Sequence, residues 1–482
     1  VPFNPPLGDY EAQVRFRFAG GSTADSPRAG FKIEGRAAPP RPRIPAVMTV
    51  EATNADFLET LPGPSGEEPG PRNVAAWARY IGCDAVWQCA GVTSTWRTSK
   101  SRGPWEPALI RSISKVGPAL KEAGLGQGAW IQAFAVLGGV PDLGAYQVAY
   151  RYEPVTDSVI PTRHISYRDE GRIQEIAGLI RRLDALPTLD AIGLDYVRLG
   201  FGGYELVDEF MEEMQMERPR GWESWGQDPK MKWLASHVEV ERDRATLTKW
   251  NWWRAHKTAL VIRRILEAAQ PRKQVWVFTL GWRQGLEHGQ DPLMLVDAGV
   301  AFTAVMLYET DRPSFESMKK DWLEYLARGP APMVIGQIVD WDLVQRTEDP
   351  AGPQEMFNRL IEPLEAWSGP NPGMGFFWHD LTRALGGRLG PYPPKEWVAA
   401  GAASFTRLRE KSGTTPLQGH WLEAPSAVGS LALLNAGGLP LYDVQVRRLD
   451  LLSLEEEFLE GKTLGELGPG EERVIQDWEG LD

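Results

Sequence analysis

Cysteine is scarce in this chain of 482 residues, and long hydrophobic runs are absent. Its two cysteines, Cys83 and Cys89, lie on or beside one predicted strand, which holds them roughly 20 Å apart and excludes a disulfide between them. No apolar run approaches the roughly 20 residues of a membrane span, so none is predicted. The start Val1-Pro2-Phe3-Asn4 has no initiator Met and no signal-peptide core. A trimmed chain begins in the same way, but we expect a mature extracytoplasmic protein, secreted or on the cell surface.

Positive charge and metal-binding patterns are also lacking. The formal net charge is −12, which disfavours a nucleic-acid partner because a phosphate backbone is repelled. The six histidines show no ligand spacing, so we predict neither a catalytic metal nor a cofactor. The segment Glu51-Ala52-Thr53-Asn54 is not the glycine-rich phosphate loop that an open doubly wound sheet usually carries. A lyase or esterase is disfavoured because no Ser–His pattern is visible.

Short apolar runs alternate with segments of helical period between residues 46 and 412. This alternation is typical of repeated βα units around a parallel sheet. Eight such units predict a (β/α)8 TIM barrel within the α/β class. The predicted strands are Ala46–Thr53, Asp84–Val92, Ala129–Val136, Ala191–Leu199, Gln274–Trp282, Thr303–Glu309, Met333–Asp340 and Gly375–Asp380.

The segments before and after the barrel have different sequence patterns from the barrel itself. Residues 1–45 contain two short alternating stretches and a proline-rich run, which predict a β segment followed by an extended linker. Residues 413–482 contain alternating stretches separated by glycine turns, which predict a β-sandwich-like accessory domain. The oligomeric state stays open.

Polar residues stand at the carboxyl ends of most predicted strands. In a TIM barrel the active site is built at this rim, so a ring of such residues favours an active site over scattered helix capping. The ring comprises Glu51, Gln88, Gln132, Asp195, Tyr308, Glu309, Gln337, Asp340, His379 and Asp380.

Asp195 is the strongest candidate in this ring. It shares its face of the strand with Ala191 and Gly193, which suits the inside of a barrel and directs the carboxylate at its mouth. Arg198 is near enough in sequence to hold Asp195 ionised, as a nucleophile or charge stabiliser requires. A structural Asp–Arg pair is the alternative.

The segment Gly193-Leu194-Asp195-Tyr196-Val197-Arg198 resembles the "DG-I-x-x-D-Y-I-R-Y" strand of a bacterial glycoside-hydrolase-like family once classed as a domain of unknown function. Trp250-Asn251-Trp252-Trp253-Arg254 and the strand ending Leu307-Tyr308-Glu309 are further similarities. The order of elements agrees from about residue 46 to residue 400. The resemblance implies a TIM barrel that acts on glycosidic bonds, in some relatives those of peptidoglycan. Leu199-Gly200-Phe201 departs from the family's aromatic-Pro pair.

Glycoside hydrolysis normally needs a second carboxylate. Glu309 is the expected acid, because barrels that resemble α-galactosidases place their pair on strands four and six. Its direction is open: if Tyr308 faces inward, Glu309 points out unless the chain has already turned. Asp340 and Asp380 are the substitutes.

An insertion over residues 200–249 follows strand four directly. Its Trp222 and Trp225 lie among Gly, Pro and charged residues, so we expect a lid whose aromatic faces pack against sugar rings. Together these features predict a glycoside hydrolase acting on a carbohydrate polymer or oligosaccharide. The alternative is a degenerate barrel that binds glycans or builds a cell surface without catalysis.

Overall fold

The computed structural model describes most of the barrel and parts of the flanking segments. The described residues are 8–33, 46–51, 56–64, 66–91, 108–135, 146–281, 284–308, 311–327, 331–341, 351–367, 374–412, 417–422, 429–435, 441–446, 462–468 and 470–478.

Eight parallel strands close into a barrel, which confirms the predicted fold. Each strand pairs with the next in the chain, and the last pairs with the first. We number them barrel strands 1 to 8. In that order they are Ala46–Val50, Ala85–Gly91, Gly126–Gln132, Ala191–Asp195, Gln274–Leu280, Phe302–Met306, Met333–Ile338 and Met374–His379.

Large aromatic side chains fill the inside of the barrel, and glycines make room for them. The rings of Trp87 and Trp276 stack with centroids 4.0 Å apart. A Cβ atom added to Gly193 meets the Trp276 ring at 2.3 Å, and one added to Gly336 meets the Phe377 ring at 2.1 Å. Positions 193 and 336 therefore face inward, and a larger residue at either is unfavourable because interiors are close-packed.

Helices surround the barrel and bury its outer face. Asp169 illustrates how they start, since its side chain accepts a hydrogen bond from the Arg172 backbone N–H as an N-cap. The helices are Asp56–Glu59, Asn73–Ile81, Ala108–Glu122, Glu170–Asp184, Val207–Glu213, Gln227–Ala235, Arg244–Ala269, Gln284–Glu287, Pro292–Asp297, Arg312–Leu326, Pro353–Trp367, Leu381–Gly386 and Pro394–Ser412. No described helix is long and apolar enough to cross a membrane. Cys83 and Cys89 are both buried, and they form no disulfide with each other.

Two additions stand beside the carboxyl end of barrel strand 4. One is a hairpin of the antiparallel strands Val148–Glu153 and Ser158–Ile165 after barrel strand 3. The other is the insertion, which is mainly helical. Glu205 joins them, because its buried carboxylate accepts hydrogen bonds from the Ser166 hydroxyl at 2.7 Å and the Tyr150 backbone N–H at 2.8 Å.

The flanking segments contain only antiparallel strand pairings among their described residues. Before the barrel, Gly8–Ala12 pairs with Ala29–Ile33, and Arg15–Arg17 pairs with Thr23–Asp25. After it, one sheet has three strands and another has two. The first comprises Leu417–Leu422, Gly429–Asn435 and Glu472–Trp478, and the second Leu441–Val446 and Lys462–Leu467.

Candidate active site at the barrel mouth

The carboxyl ends of the barrel strands bring several of the expected residues together. Asp195 lies two positions beyond Gly193 and therefore faces the mouth, as its alternation predicts. His379 ends barrel strand 8, and its Nδ1 lies 2.7 Å from the Thr49 hydroxyl of barrel strand 1. The Tyr308 ring lies parallel to the His379 ring with centroids 6.5 Å apart. Tyr308 therefore faces inward.

Glu51, directly after barrel strand 1, is held as an anion. Its Oε2 lies 2.5 Å from Arg383 Nη2 and 3.4 Å from His379 Nε2. Burial raises the pKa of Glu51, but the hydrogen bond and charge of His379 and the charge of Arg383 outweigh it and lower the pKa to about 2. The carboxylate is therefore ionised throughout the physiological pH range.

Asp195, unlike Glu51, has a raised pKa, because burial is a larger effect than the charge of Arg198, which lowers its pKa as expected. Burial raises the pKa of Asp195 to about 6 and outweighs the opposing charge of Arg198 and the hydrogen bond from the Tyr196 backbone N–H. The Glu51 charge raises this pKa further. A carboxyl group with a pKa near 6 suits a proton donor better than a permanent anion.

The backbone at this point is strained. Tyr196 has a φ of 53°, a left-handed conformation that is costly for a residue with a side chain. The Tyr196 backbone N–H donates to the Asp195 Oδ1 at 2.6 Å, and this hydrogen bond restrains the carboxyl group at the end of barrel strand 4. Such strain persists where the surrounding structure enforces it, and it is concentrated at functional sites.

Gln132 of barrel strand 3 stands beside Asp195 and offers an unused acceptor. The two residues are direct neighbours in the strand register. The Gln132 side chain is 3% exposed, and its Oε1 has no hydrogen-bond partner among the described residues. A buried amide oxygen in this state is suited to a ligand hydroxyl group.

The prediction that Gln88 and Gln337 belong to the ring of polar residues at the barrel mouth was wrong. Gln88 lies on the outer face of the barrel, where its Oε1 accepts a hydrogen bond from Gln127 at 2.9 Å, and Gln127 also donates to the carbonyl of Ile113 in the surrounding helix. Gln337 follows the inward-facing Gly336 and donates to the Leu307 carbonyl. Both amide groups are therefore hydrogen-bonded on the outer side of the barrel, away from its mouth.

Asp340 and Asp380 support the mouth rather than standing free in it. Asp340 is 2% exposed and lies 2.8 Å from Arg388 Nη1 and 3.2 Å from Arg383 Nε. Asp380 is fully buried, caps the following helix through the Arg383 backbone N–H, and accepts the Glu51 backbone N–H at 2.6 Å. Both carboxylates therefore have structural partners, and Asp380 matches the capping alternative.

Trp222 is not a sugar-facing lid residue, because it belongs to the core of the insertion. It is 2% exposed, and its indole N–H donates to Asp208 at 3.2 Å. Its ring packs against those of Trp225 and Trp233 at centroid distances of 5.5 and 5.4 Å. Trp225 is partly buried against the same cluster. The expected lid surface is therefore missing at Trp222.

Glu309, the expected partner of Asp195, lies outside the described residues. The carboxyl group whose charge acts on Asp195 in the described part of the chain is instead that of Glu51.

Sequence reasoning missed Arg383, which contacts acidic groups from three strand ends. It reaches Glu51, Asp340 and Asp380 from the helix that follows barrel strand 8. Its position three residues after Asp380 is the one signal that could have identified it, because an N-cap and the third helical residue lie on adjacent turns.

Comparison with known proteins supports the fold. No protein-family model and no curated protein matches the sequence. The solved β-galactosidase of the psychrophilic Marinomonas ef1 is similar, with a TM-score of 0.50 and 10% identity over 77% of this chain and 60% of that chain. The β-galactosidase of the Antarctic haloarchaeon Halorubrum lacusprofundi has a TM-score of 0.49 and 12% identity over 79% and 59%. This chain thus spans about three-fifths of their lengths. At 10% identity, the similarity to the Marinomonas ef1 structure shows a common barrel fold alone.

Proposed function

We propose that the protein is a glycoside hydrolase in which Asp195 donates the proton and Glu51 is the anionic partner. The observation that carries the proposal is the separation of the two pKa values at one barrel mouth, about 6 for Asp195 and about 2 for Glu51. Two carboxyl groups whose environments move their pKa values apart are the pattern of an acid and a base or nucleophile.

The chemistry follows from the charge that develops during cleavage. The departing glycosidic oxygen needs a proton, and the anomeric carbon gains positive charge. Asp195 can hold a proton into weakly acidic pH and transfer it to the leaving oxygen. Glu51 stays negative and either stabilises the cation, captures it or activates water, while the Gln132 amide oxygen accepts a hydroxyl hydrogen bond from the sugar.

This assignment reverses the role expected for Asp195. Arg198 contributes an opposing charge, but the burial of the carboxyl group is the larger effect. Glu309 stays the competing partner, because it follows Tyr308 at the end of the barrel strand 6 segment. The fold agrees with the proposal, since the β-galactosidase of Marinomonas ef1 has a similar barrel.

A non-catalytic glycan-binding barrel is the second candidate. It is supported by the ion pairs that Arg383 makes with Glu51 and Asp340, because such networks also shift carboxylate pKa values without any catalytic role. The two candidates differ in one requirement: a binder does not depend on a titrating Asp195 or on an ionised Glu51.

Turnover by paired variants tests the proposal. Purified protein is screened at pH 5 on peptidoglycan, α-glucans, β-galactans and galactosaminoglycans, with new reducing ends measured. Asp195→Asn and Glu51→Gln are expected to lower the rate on any substrate found by at least about a hundredfold. Asp190→Asn, at the opposite end of barrel strand 4, is the matched control and should keep activity.

The outcomes separate the candidates. Near-normal activity in Asp195→Asn contradicts the mechanism. A loss confined to Glu309→Gln and Asp195→Asn, with Glu51→Gln active, assigns the anionic partner to Glu309. Binding without any new reducing ends supports the non-catalytic barrel.

A further inference from the structure

A group of basic side chains surrounds the loop that leaves barrel strand 4. We call it the basic corner; it comprises His164, Arg198, Arg254 and His288. His164 Nδ1 donates to the Arg198 carbonyl at 3.1 Å, and the Arg254 guanidinium donates to the Gly200 carbonyl. The Phe201 ring meets the His288 ring edge-on at a centroid distance of 4.2 Å. Three elements distant in sequence therefore converge on residues 198–201.

Three members of the basic corner hold polar atoms without a hydrogen-bond partner among the described residues. These atoms are Nη1 of Arg198, Nε of Arg254 and both ring nitrogens of His288, all buried and unpaired within the described part of the chain. Buried polar groups are nearly always paired, so unpaired polar groups that converge at one place are suited to a polar ligand. Arg198 and His288 are only partly buried as whole residues, whereas Arg254 is 4% exposed.

Arg254 has a different role in the basic corner. Its guanidinium also donates to the Glu287 carbonyl at 2.7 Å, and the charges of Glu205 and Glu239 act on it. It is therefore a buried support that positions the loop, while the less buried Arg198 and His288 provide the donors for a ligand.

The electrostatics of the basic corner match a negative ligand. Burial, followed by the charges of Arg198 and Arg254, lowers the pKa of His288 to about 3. Burial and the charge of Arg198 lower the pKa of His164 to about 4. Burial and, after it, positive neighbours thus keep both imidazoles neutral, and an anion placed among them offsets the positive charge of these neighbours.

We propose that the basic corner binds the acidic group of a charged sugar, a carboxylate or a sulfate, through Arg198 and His288. This inference rests on the proposed function, and it names the substrate class as acidic glycans. Arginine binds planar and tetrahedral anions through several donors at once. Phe201 is 56% exposed beside His288 and offers an apolar face to the sugar ring. Because Arg198 lies three residues after Asp195 and its charge acts on it, the acidic unit stands beside the cleaved bond.

Paired ligands that differ only in charge test the assignment. Calorimetric titration at pH 5 compares oligogalacturonate with its methyl ester, a hyaluronan tetrasaccharide with its methyl ester, and a sulfated galactan oligosaccharide with its desulfated form. At least one acidic ligand is expected to bind tenfold or more tightly than its neutral counterpart. The uronate and sulfate pairs show which acidic group the site prefers.

Variants connect the preference to the basic corner. Arg198→Gln should reduce the acidic preference roughly ten- to hundredfold, since a charge-assisted hydrogen bond is lost. Arg198→Lys keeps the charge and should retain part of the preference. Arg163→Gln removes an exposed charge from the strand that carries His164 and should retain all of it. Thermal melting of each variant verifies the fold.

Each outcome decides the inference. Neutral ligands that bind as tightly as acidic ones, no binding by any acidic ligand, or a preference that survives in Arg198→Gln each overturn it. Asp195-dependent cleavage of neutral glycans without acidic preference leaves the proposed function intact. An acidic preference that depends on Arg198, in a protein that cleaves nothing, supports the basic corner and contradicts the hydrolase.

Discussion

Replacing Asp195 with asparagine is expected to stabilise the fold at neutral and alkaline pH while removing activity. The folded pKa of about 6 lies above the ordinary value of 3.8, so the folded state binds a proton more tightly than the unfolded state. Ionised Asp195 therefore costs stability, and this cost grows as pH rises from about 4 to about 6. A shift of roughly two pKa units corresponds to at most about 3 kcal/mol of stability. Because the side chain is partly exposed and solvent screens its charge, we expect a cost within the range of about 1–3 kcal/mol.

Urea unfolding followed by tryptophan fluorescence at pH 4, 6 and 8 measures this effect. The asparagine side chain has no proton to lose, so the stability gained by the Asp195→Asn variant should be under about 1 kcal/mol at pH 4 and largest at pH 8. Glu51→Gln is the matched control of opposite sign. The pKa of Glu51 is depressed from 4.5 to about 2, so its ionised form stabilises the fold above about pH 4.5. Its removal should destabilise the protein by about 1–3 kcal/mol at pH 8. A stability difference for Asp195→Asn that does not change with pH refutes the reasoning.

Three further predictions concern catalysis, the barrel interior and the insertion. The rate constant kcat/KM should fall about tenfold per pH unit above pH 6, because it requires protonated Asp195 beside ionised Glu51; a flat profile from pH 5 to 8 contradicts this. Gly193→Ala should destabilise the barrel by about 1–3 kcal/mol in urea unfolding, since its Cβ meets a tryptophan ring at 2.3 Å. Gly178→Ala, in a helix and without a close contact, should instead stabilise by about 0.5–1 kcal/mol, and equal effects would disprove the packing argument. Trp222→Ala should lower unfolding free energy by about 3–5 kcal/mol, because the ring is core; weakened sugar binding without lost stability would restore the lid interpretation.

The barrel was predictable because short apolar runs alternate with segments of helical period along the chain, whereas the ends of the strands were less predictable. Barrel strand 4 was expected to continue to Leu199 but ends at Asp195, where Tyr196 adopts its left-handed backbone. Barrel strand 3 begins at Gly126 rather than Ala129. Gly126-Gln127-Gly128 contains no apolar side chain, yet Gly128 is needed there because a Cβ meets the Trp87 ring at 2.3 Å.

The site was predictable in position but not in charge. Period two placed Asp195 at the mouth, and the same rule applied from Gly336 would have turned Gln337 outward. The raised pKa of Asp195 was not predictable, because its main cause is burial by chain segments far apart in sequence. Arg383 and His288 come from helical and loop residues after the strands, where no periodic pattern marks them. The domain boundaries and the extracytoplasmic location stay predictions.

The division of roles between the two carboxyl groups is tested most directly by changing the leaving group. On the glycoside that the screen identifies, kcat/KM is measured for a 2,4-dinitrophenyl derivative and for an unactivated one. Asp195→Asn should retain most activity on the activated substrate, which leaves without a proton, and lose at least about a hundredfold on the unactivated one. Glu51→Gln should lose activity on both, because both develop positive charge at the anomeric carbon. Equal losses for Asp195→Asn on the two substrates, or an active Glu51→Gln variant, would contradict the account.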